Sequence, residues 1–177
     1  MKKHVFIATS LDGYIADSNN QIDWLHDIDN PTGDDCGFSQ FIAGVDAIVM
    51  GRNTFETVAG FDCEWPYPVP VFVCSRSLTH VPDELTEKAC ILSGTAEEIC
   101  QQLALQGFDN LYVDGGNLIQ QFLRAGLIDE MTISTLPILL GAGTSLFGEL
   151  TEPMKFRHIK TQCYLGAIVS SQYLKET

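Results

Sequence analysis

The stretch "NLYVDGGNLIQQFLRAG", residues 110–126, reads as three elements in succession. The apolar run Leu111 to Val113 has the composition of a buried strand, and Gly115-Gly116 interrupts it. Apolar residues then recur at helical spacing as far as Gly126, which suits a helix terminus. A strand that feeds a helix through a glycine turn is half of a strand–helix–strand unit, whose strands run parallel. The stretch also raises a question of function. Glycines let backbone amides approach an anion, and the first N–H groups of a helix point at it. An Asp-Gly-Gly turn is equally a plain tight turn, so taken alone the stretch leaves both readings open.

The same alternation extends outward. "HVFIAT" (His4 to Thr9), "DAIVMG" (Asp46 to Gly51), "VPVFVCS" (Val69 to Ser75) and "ACIL" (Ala89 to Leu92) are expected strands, and their continuous apolar runs point to cover on both faces. Helices are expected in "DDCGFSQFIAGV", capped by Asp34 and ending near Gly44, and in "RNTFETV". A third lies in "TAEEICQQLALQG", where Thr95 and Glu98 form a capping box and Gly107 closes the helix. After Ile128, "DEMTISTLPILLGAGTSLF", "KFRHIKTQCY" and "GAIVSSQYLK" alternate apolar and polar residues as half-exposed antiparallel strands do. The Pro-rich "CEWPYPVP" is a loop. One α/β domain over residues 1–177 is expected, with a mainly parallel sheet and an antiparallel C-terminal edge.

Composition narrows the partners. The chain has 177 residues, 45% hydrophobic and 19% charged, with a net charge of −13. That charge argues against nucleic acid or an anionic membrane as partner. The six cysteines contain no C-x-x-C pair and no apolar leader opens the chain, so a cytoplasmic protein with reduced, mostly buried thiols is expected. The four histidines lack metal-ligand spacing, and no metal site is expected.

Open α/β sheets bind ligands beyond the carboxyl ends of their parallel strands. Three junctions qualify: Gly51-Arg52-Asn53-Thr54, Ser75-Arg76-Ser77 and Asp114-Gly115-Gly116-Asn117. Two of only four arginines fall there, whereas His4 to Gly51 holds eight aspartates and no lysine or arginine. Amides at helix starts and bidentate arginines suit a ligand with several separated phosphates, which describes a dinucleotide. Each feature has a plainer reading: Arg52 can pair with a neighbouring acid, and Arg76 can be solvated. "GAGTS" (Gly141 to Ser145) does not complete G-x-G-x-x-G, and no G-x-x-x-x-G-K-[ST] loop occurs. Asp114 is the awkward neighbour of an anion site and is expected to point away from it.

With these residues in view, "SLDGYIA" (Ser10 to Ala16), "DAIVMGRNTFE", "VFVCSRS", "VDGGNLIQQFL" and "GLIDEMTISTLPILLGAGTSLF" together resemble the dihydrofolate-reductase-like superfamily. The closer resemblance is to the reductase domain of the bacterial bifunctional riboflavin deaminase-reductases, in a stand-alone form. The resemblance runs in order over nearly the whole chain. It implies a three-layer fold with a mixed, mostly parallel eight-stranded sheet between helices, and NADPH as hydride donor. It further implies that Gly51, Arg52, Asn53 and Thr54 meet the cofactor phosphates, that Ser75 and Arg76 hold the adenosine 2′-phosphate, and that Gly115, Gly116, Asn117 and Leu118 cradle the pyrophosphate.

Asp12 is then the expected catalytic group and substrate neighbour, with Leu140, Gly141 and Gly143 lining the substrate end. A β-turn role for Asp12-Gly13 is its plain alternative. Asp23, Asp34 and Asp35 are weaker candidates. The implied reaction is hydride transfer to a C=N or ring-opened sugar imine of a small heterocycle, as in 5-amino-6-(5-phosphoribosylamino)uracil reduction. Dihydrofolate or pteridine reduction is one alternative, and a non-catalytic dinucleotide-binding module is another. The chain departs from the riboflavin reductases in having no arginine for a ribose phosphate between His4 and Gly51. A homodimer is expected, with "MTISTLPILL" either packing against its copy or forming a buried strand.

Overall fold

Strands β1 (Lys2–Thr9), β3 (Ala47–Gly51), β4 (Val71–Cys74) and β6 (Asn110–Asp114) carry the apolar runs. Ala47, Ile48, Val49, Met50, Val71 and Val73 are sealed from solvent. Side chains alternate faces along a strand, so both faces must be covered, and these strands lie inside the sheet. The computed structural model describes residues 1–176.

Three further long strands, β7 (Glu130–Thr135), β9 (Phe156–Tyr164) and β10 (Ile168–Lys175), join them with β5 (Ala89–Leu92). The order across the eight-stranded sheet is β5-β4-β3-β6-β1-β7-β10-β9. From β5 to β7 every pairing is parallel, and β10 runs antiparallel to both its neighbours. The mixed, mostly parallel α/β architecture is as expected.

Helices α3 (Ala96–Leu105) and α4 (Gly116–Arg124) cover one face, packing Ile99, Leu103, Ile119 and Phe122 on Val5, Val49, Leu111 and Val113. The short helices α1 (Phe38–Ile42) and α2 (Arg52–Ala59) cover the other, packing Ile42 and Phe55 with Ile48, Met50, Val73 and Tyr112. The Thr95–Glu98 capping box opens α3, and Gly107 (φ 90°) and Gly126 (φ 67°) follow α3 and α4 in the left-handed region that stops a helix.

Three expectations are corrected, and one strand is added to those expected. The start of α1 is held by Asp35 rather than Asp34: Asp35 accepts from the Gly37 and Ser39 amides, while Asp34 accepts from Cys36. Strand β7, whose alternation suggested antiparallel neighbours, pairs parallel with β1 and antiparallel with β10. The thiols are not mostly buried. Cys63, Cys90 and Cys163 are exposed, on a loop and on the two edge strands, and the other three are half-buried. The "GYIA" segment supplies a strand of its own, β2 (Tyr14–Ala16), paired antiparallel with β8 (Thr144–Ser145). As for "MTISTLPILL", its first half is an interior strand with both edges already paired.

Strand β9 is the open edge and is exposed along almost its whole length, with Arg157, His158 and Lys160 on it and a register shift opposite Gln172 and Tyr173.

The β2–β8 ribbon requires glycine at one point. Gly143 (φ 150°) lies so close to the backbone that a Cβ would overlap the Ala16 carbonyl, whereas Gly141 (φ 75°) has open space around it. Gly143→Ala is therefore expected to lower Tm by roughly 5–10 °C in a thermal melt, and Gly141→Ala by about 2 °C, from backbone strain alone.

Candidate functional site

Six parallel strands bring their carboxyl ends to one edge, and the three glycine- and arginine-bearing junctions meet there. They line a cleft of about 710 Å³ between α2, α4 and the loops after β1, β4 and β5. Gly51, Arg52, Asn53, Thr54, Ser75, Arg76, Gly115, Gly116, Asn117 and Leu118 all border it. The residues singled out for the dinucleotide are thus brought together. Helices α2 and α4 begin at Gly51 and Gly115, neither with a side-chain cap, which leaves their first-turn amides available to an anion.

Gly115 (φ 91°) lies against α2 so tightly that a Cβ would strike the Thr54 hydroxyl. The two helix starts are adjacent for this reason, and no side chain separates them. Arg52 Nη1 donates to Ser77 Oγ at 3.2 Å, and Arg52 Nε lies 3.7 Å from Glu56 Oε1. The plain reading of Arg52 as an ion-pair partner is partly realised, by a weak contact on the exposed side of α2. Its hydrogen bond to Ser77 also brings it beside Ser75 and Arg76, so both arginines stand over the end of β4.

Asp12 stands on the turn after β1, outside the lining of this cleft. Its carboxylate accepts from Ser10 Oγ at 2.5 Å, Leu140 N at 3.1 Å and Gly141 N at 2.7 Å. These bonds, the serine first, hold its pKa below the ordinary carboxylate value. Asp12, Leu140, Gly141 and Gly143 all lie outside the residues that line the cleft. Gly13 (φ 81°) closes a turn with Ser10, and the loop after β7 docks on that turn through the Leu11 amide, which donates to the Ile138 carbonyl. The turn reading of Asp12-Gly13 is the one the geometry realises. From that loop it is Thr144 that reaches the cleft.

The expectation that Asp114 points away is corrected: it is the acid in the cleft lining. Its side chain shares a sheet face with Tyr112, opposite the face covered by α4, because residues two apart in a strand point the same way. One carboxylate oxygen turns back to accept the Gly115 amide at 2.8 Å, so that amide is not free for an anion, and the cradle begins at Gly116. Burial pushes the Asp114 pKa up to about 6, against the opposing pull of the Gly115 amide and the Tyr112 hydroxyl. Tyr112 is buried and donates to the Phe6 carbonyl at 2.8 Å, and Tyr67 lies nearby. Burial first, then the Asp114 charge, raise both phenols well above their ordinary pKa. Tyr67, Tyr112 and Asp114 all line the cleft. The alternation of Tyr112 and Asp114 in an otherwise apolar strand was the signal for this cluster, and attention to the neighbouring glycines hid it.

A carboxyl group that gains pKa on folding binds a proton in the folded state between pH 3.8 and about 6, where the unfolded chain has released it. Stability contributed by this group is therefore lost as pH rises through that window. Between pH 4.5 and 7.5, Asp114→Asn is expected to gain roughly 2 kcal/mol relative to the wild type, read from urea unfolding at both pH values.

Comparison with known proteins agrees with this architecture. The family model described as RibD C-terminal domain matches residues 4–167. The uncharacterized protein YwjB of Bacillus subtilis (strain 168) is 32% identical over 98% of each chain. The crystal structure of a Shewanella sp. PV-4 protein, whose riboflavin-biosynthesis name is provisional, superposes with a TM-score of 0.96 at 47% identity over 100% of both chains. Acinetobacter baumannii RibD shares the fold, with a TM-score of 0.72 at 19% identity over 99% of this chain and 58% of its own. The sheet order, the three converging junctions and the family match lead to one conclusion: the chain belongs to the RibD C-terminal domain family.

Proposed function

We propose that the protein is an NADPH-dependent reductase acting on a C=N or ring-opened sugar imine of a small heterocycle. The observation that carries this reading is the convergence of three strand-end junctions on one cleft, two of them uncapped helix starts in glycine contact and the third bearing arginine. The donors suit the cofactor. First-turn amides of α2 and α4 match a pyrophosphate, and Ser75, Arg76 and Ser77 with Arg52 above them match a 2′-phosphate. When bound, the nicotinamide supplies a hydride.

The chain's own residues have three tasks. The helix starts and arginines anchor and orient the dinucleotide. The apolar wall of Phe6, Ile15, Ile22 and Leu25 excludes water from the far end of the cleft. Asp114, buried in the cleft lining with its pKa pushed up to about 6, can hold or release a proton at its carboxyl oxygen, as general acid catalysis requires. In this reading Asp12 positions rather than reacts: it ties the Leu140–Gly141 loop to the turn after β1 and so steadies the β2–β8 ribbon beside the cleft.

Two variants test the assignment. Arg76→Ala is expected to weaken NADPH binding at least about tenfold and NADH binding less than about twofold, because only NADPH presents a 2′-phosphate to a charge-assisted hydrogen bond. Equal losses in fluorescence titrations with the two cofactors would remove Arg76 from that role. Asp12→Asn is expected to speed amide hydrogen exchange at Leu140 and Gly141 while changing NADPH affinity less than about twofold. Unchanged exchange would show that the loop does not depend on the carboxylate.

A further inference from the structure

The distribution of charge inside the cleft bears on the substrate. Among the described residues that line it, the cations are Arg52 and Arg76. Arg52 leans toward Ser77 through its hydrogen bond, so both positive groups stand at the end of β4, over the adenosine half of a bound dinucleotide. The opposite half, under β1 and β6, is walled by Phe6, Leu25, Val58 and Phe61, and its ionisable acid is Asp114.

The segment that contributes Asn20, Ile22 and Leu25 to the lining holds Asp17, Asp23, Asp27 and Asp29 close by in sequence, and no lysine or arginine occurs from His4 to Gly51. Helix termini do not supply the missing positive site either. The starts of α2 and α4 face the dinucleotide phosphates, and the amides at the start of α1 are already taken by the Asp35 carboxylate. A phosphate dianion placed here would meet the buried Asp114 carboxyl with no cation beyond Arg52 and Arg76 among the described lining residues, and like charges in a partly desolvated cleft repel strongly. An amino or imino N–H group, in contrast, finds an acceptor in Asp114 and apolar walls for its ring.

We propose, resting on the reductase reading above, that the substrate is an unphosphorylated, neutral or cationic amino-heterocycle or imine whose N–H group donates to Asp114. The reaction then differs from that of a phosphoribosyl-substrate reductase in the half of the cleft away from the cofactor. Electrostatic selection at that half discriminates against a substrate by its phosphate, and not by its ring.

The test uses the full chain saturated with NADPH, so that the adenosine half is filled, and calorimetric titration with cytidine and with cytidine 5′-monophosphate as probes. Cytidine is expected to bind at least about tenfold more tightly than its phosphate ester, and Asp114→Asn to weaken cytidine about tenfold without loss of NADPH binding. Phe61 is exposed on the cleft wall, and Phe61→Arg is expected to narrow the gap between the two probes about tenfold. Equal or tighter binding of the monophosphate, absence of cytidine binding, or a gap unaffected by Phe61→Arg overturns the proposal. If NADPH fluorescence still titrates normally, the reductase reading survives that result. A wild-type protein that fails to bind NADPH overturns both.

Discussion

Parallel pairing is the constraint on which the rest of the molecule depends. Because β5, β4, β3, β6, β1 and β7 all run the same way, each must be followed by a connection that returns to the opposite end of the sheet. Every strand therefore releases its next residue at the same edge. Gly51, Ser75 and Gly115 are far apart in sequence, and they meet because the ladder leaves them no other place. Helices α2 and α4, which make two of the return journeys, bury the sheet and at the same time deliver their uncapped starts to the cleft. One arrangement thus provides both the core and the cleft.

Within that frame the two faces of β6 do different work. Leu111 and Val113 seal against α3 and α4, while Tyr112 and Asp114 turn a hydroxyl and a carboxyl toward the other layer. Burying the carboxyl is costly, and the hydrogen bond from the Gly115 amide offsets part of that cost. A polar pair retained in the middle of an apolar strand, at the mouth of a cleft, is the pattern of a site in which local packing is sacrificed to chemistry.

Much of this was legible in the sequence because the signals were local. The Thr95–Glu98 box, the glycines after α3 and α4, and the apolar runs of β3 and β4 depend on near neighbours only. Positions that depend on distant partners were harder to read. Nothing in "SLDG" discloses that Leu140 and Gly141, 128 and 129 residues away in sequence, bring their amides to Asp12. Asp35 displaced Asp34 by one position because Gly37 takes a positive φ before α1. Alternation in β7 reports how its two faces are covered, and periodicity does not report the direction of a neighbouring strand. Asp114 was seen only as a nuisance to its glycines, although its own spacing from Tyr112 was the informative feature.

The exposed edge strand β9 has a consequence for the protein in concentrated solution. A long unpaired strand is a template on which another chain can continue the sheet, the route by which β proteins form aggregates. Here the template carries Arg157, His158 and Lys160, and the ladder behind it shifts register at Gln172 and Tyr173. A second copy approaching this edge brings the same basic residues and the same irregular ladder. The positive charges that an acidic chain keeps on β9 therefore act as gatekeepers, and resistance to edge-to-edge association is expected to decline most when they are neutralised.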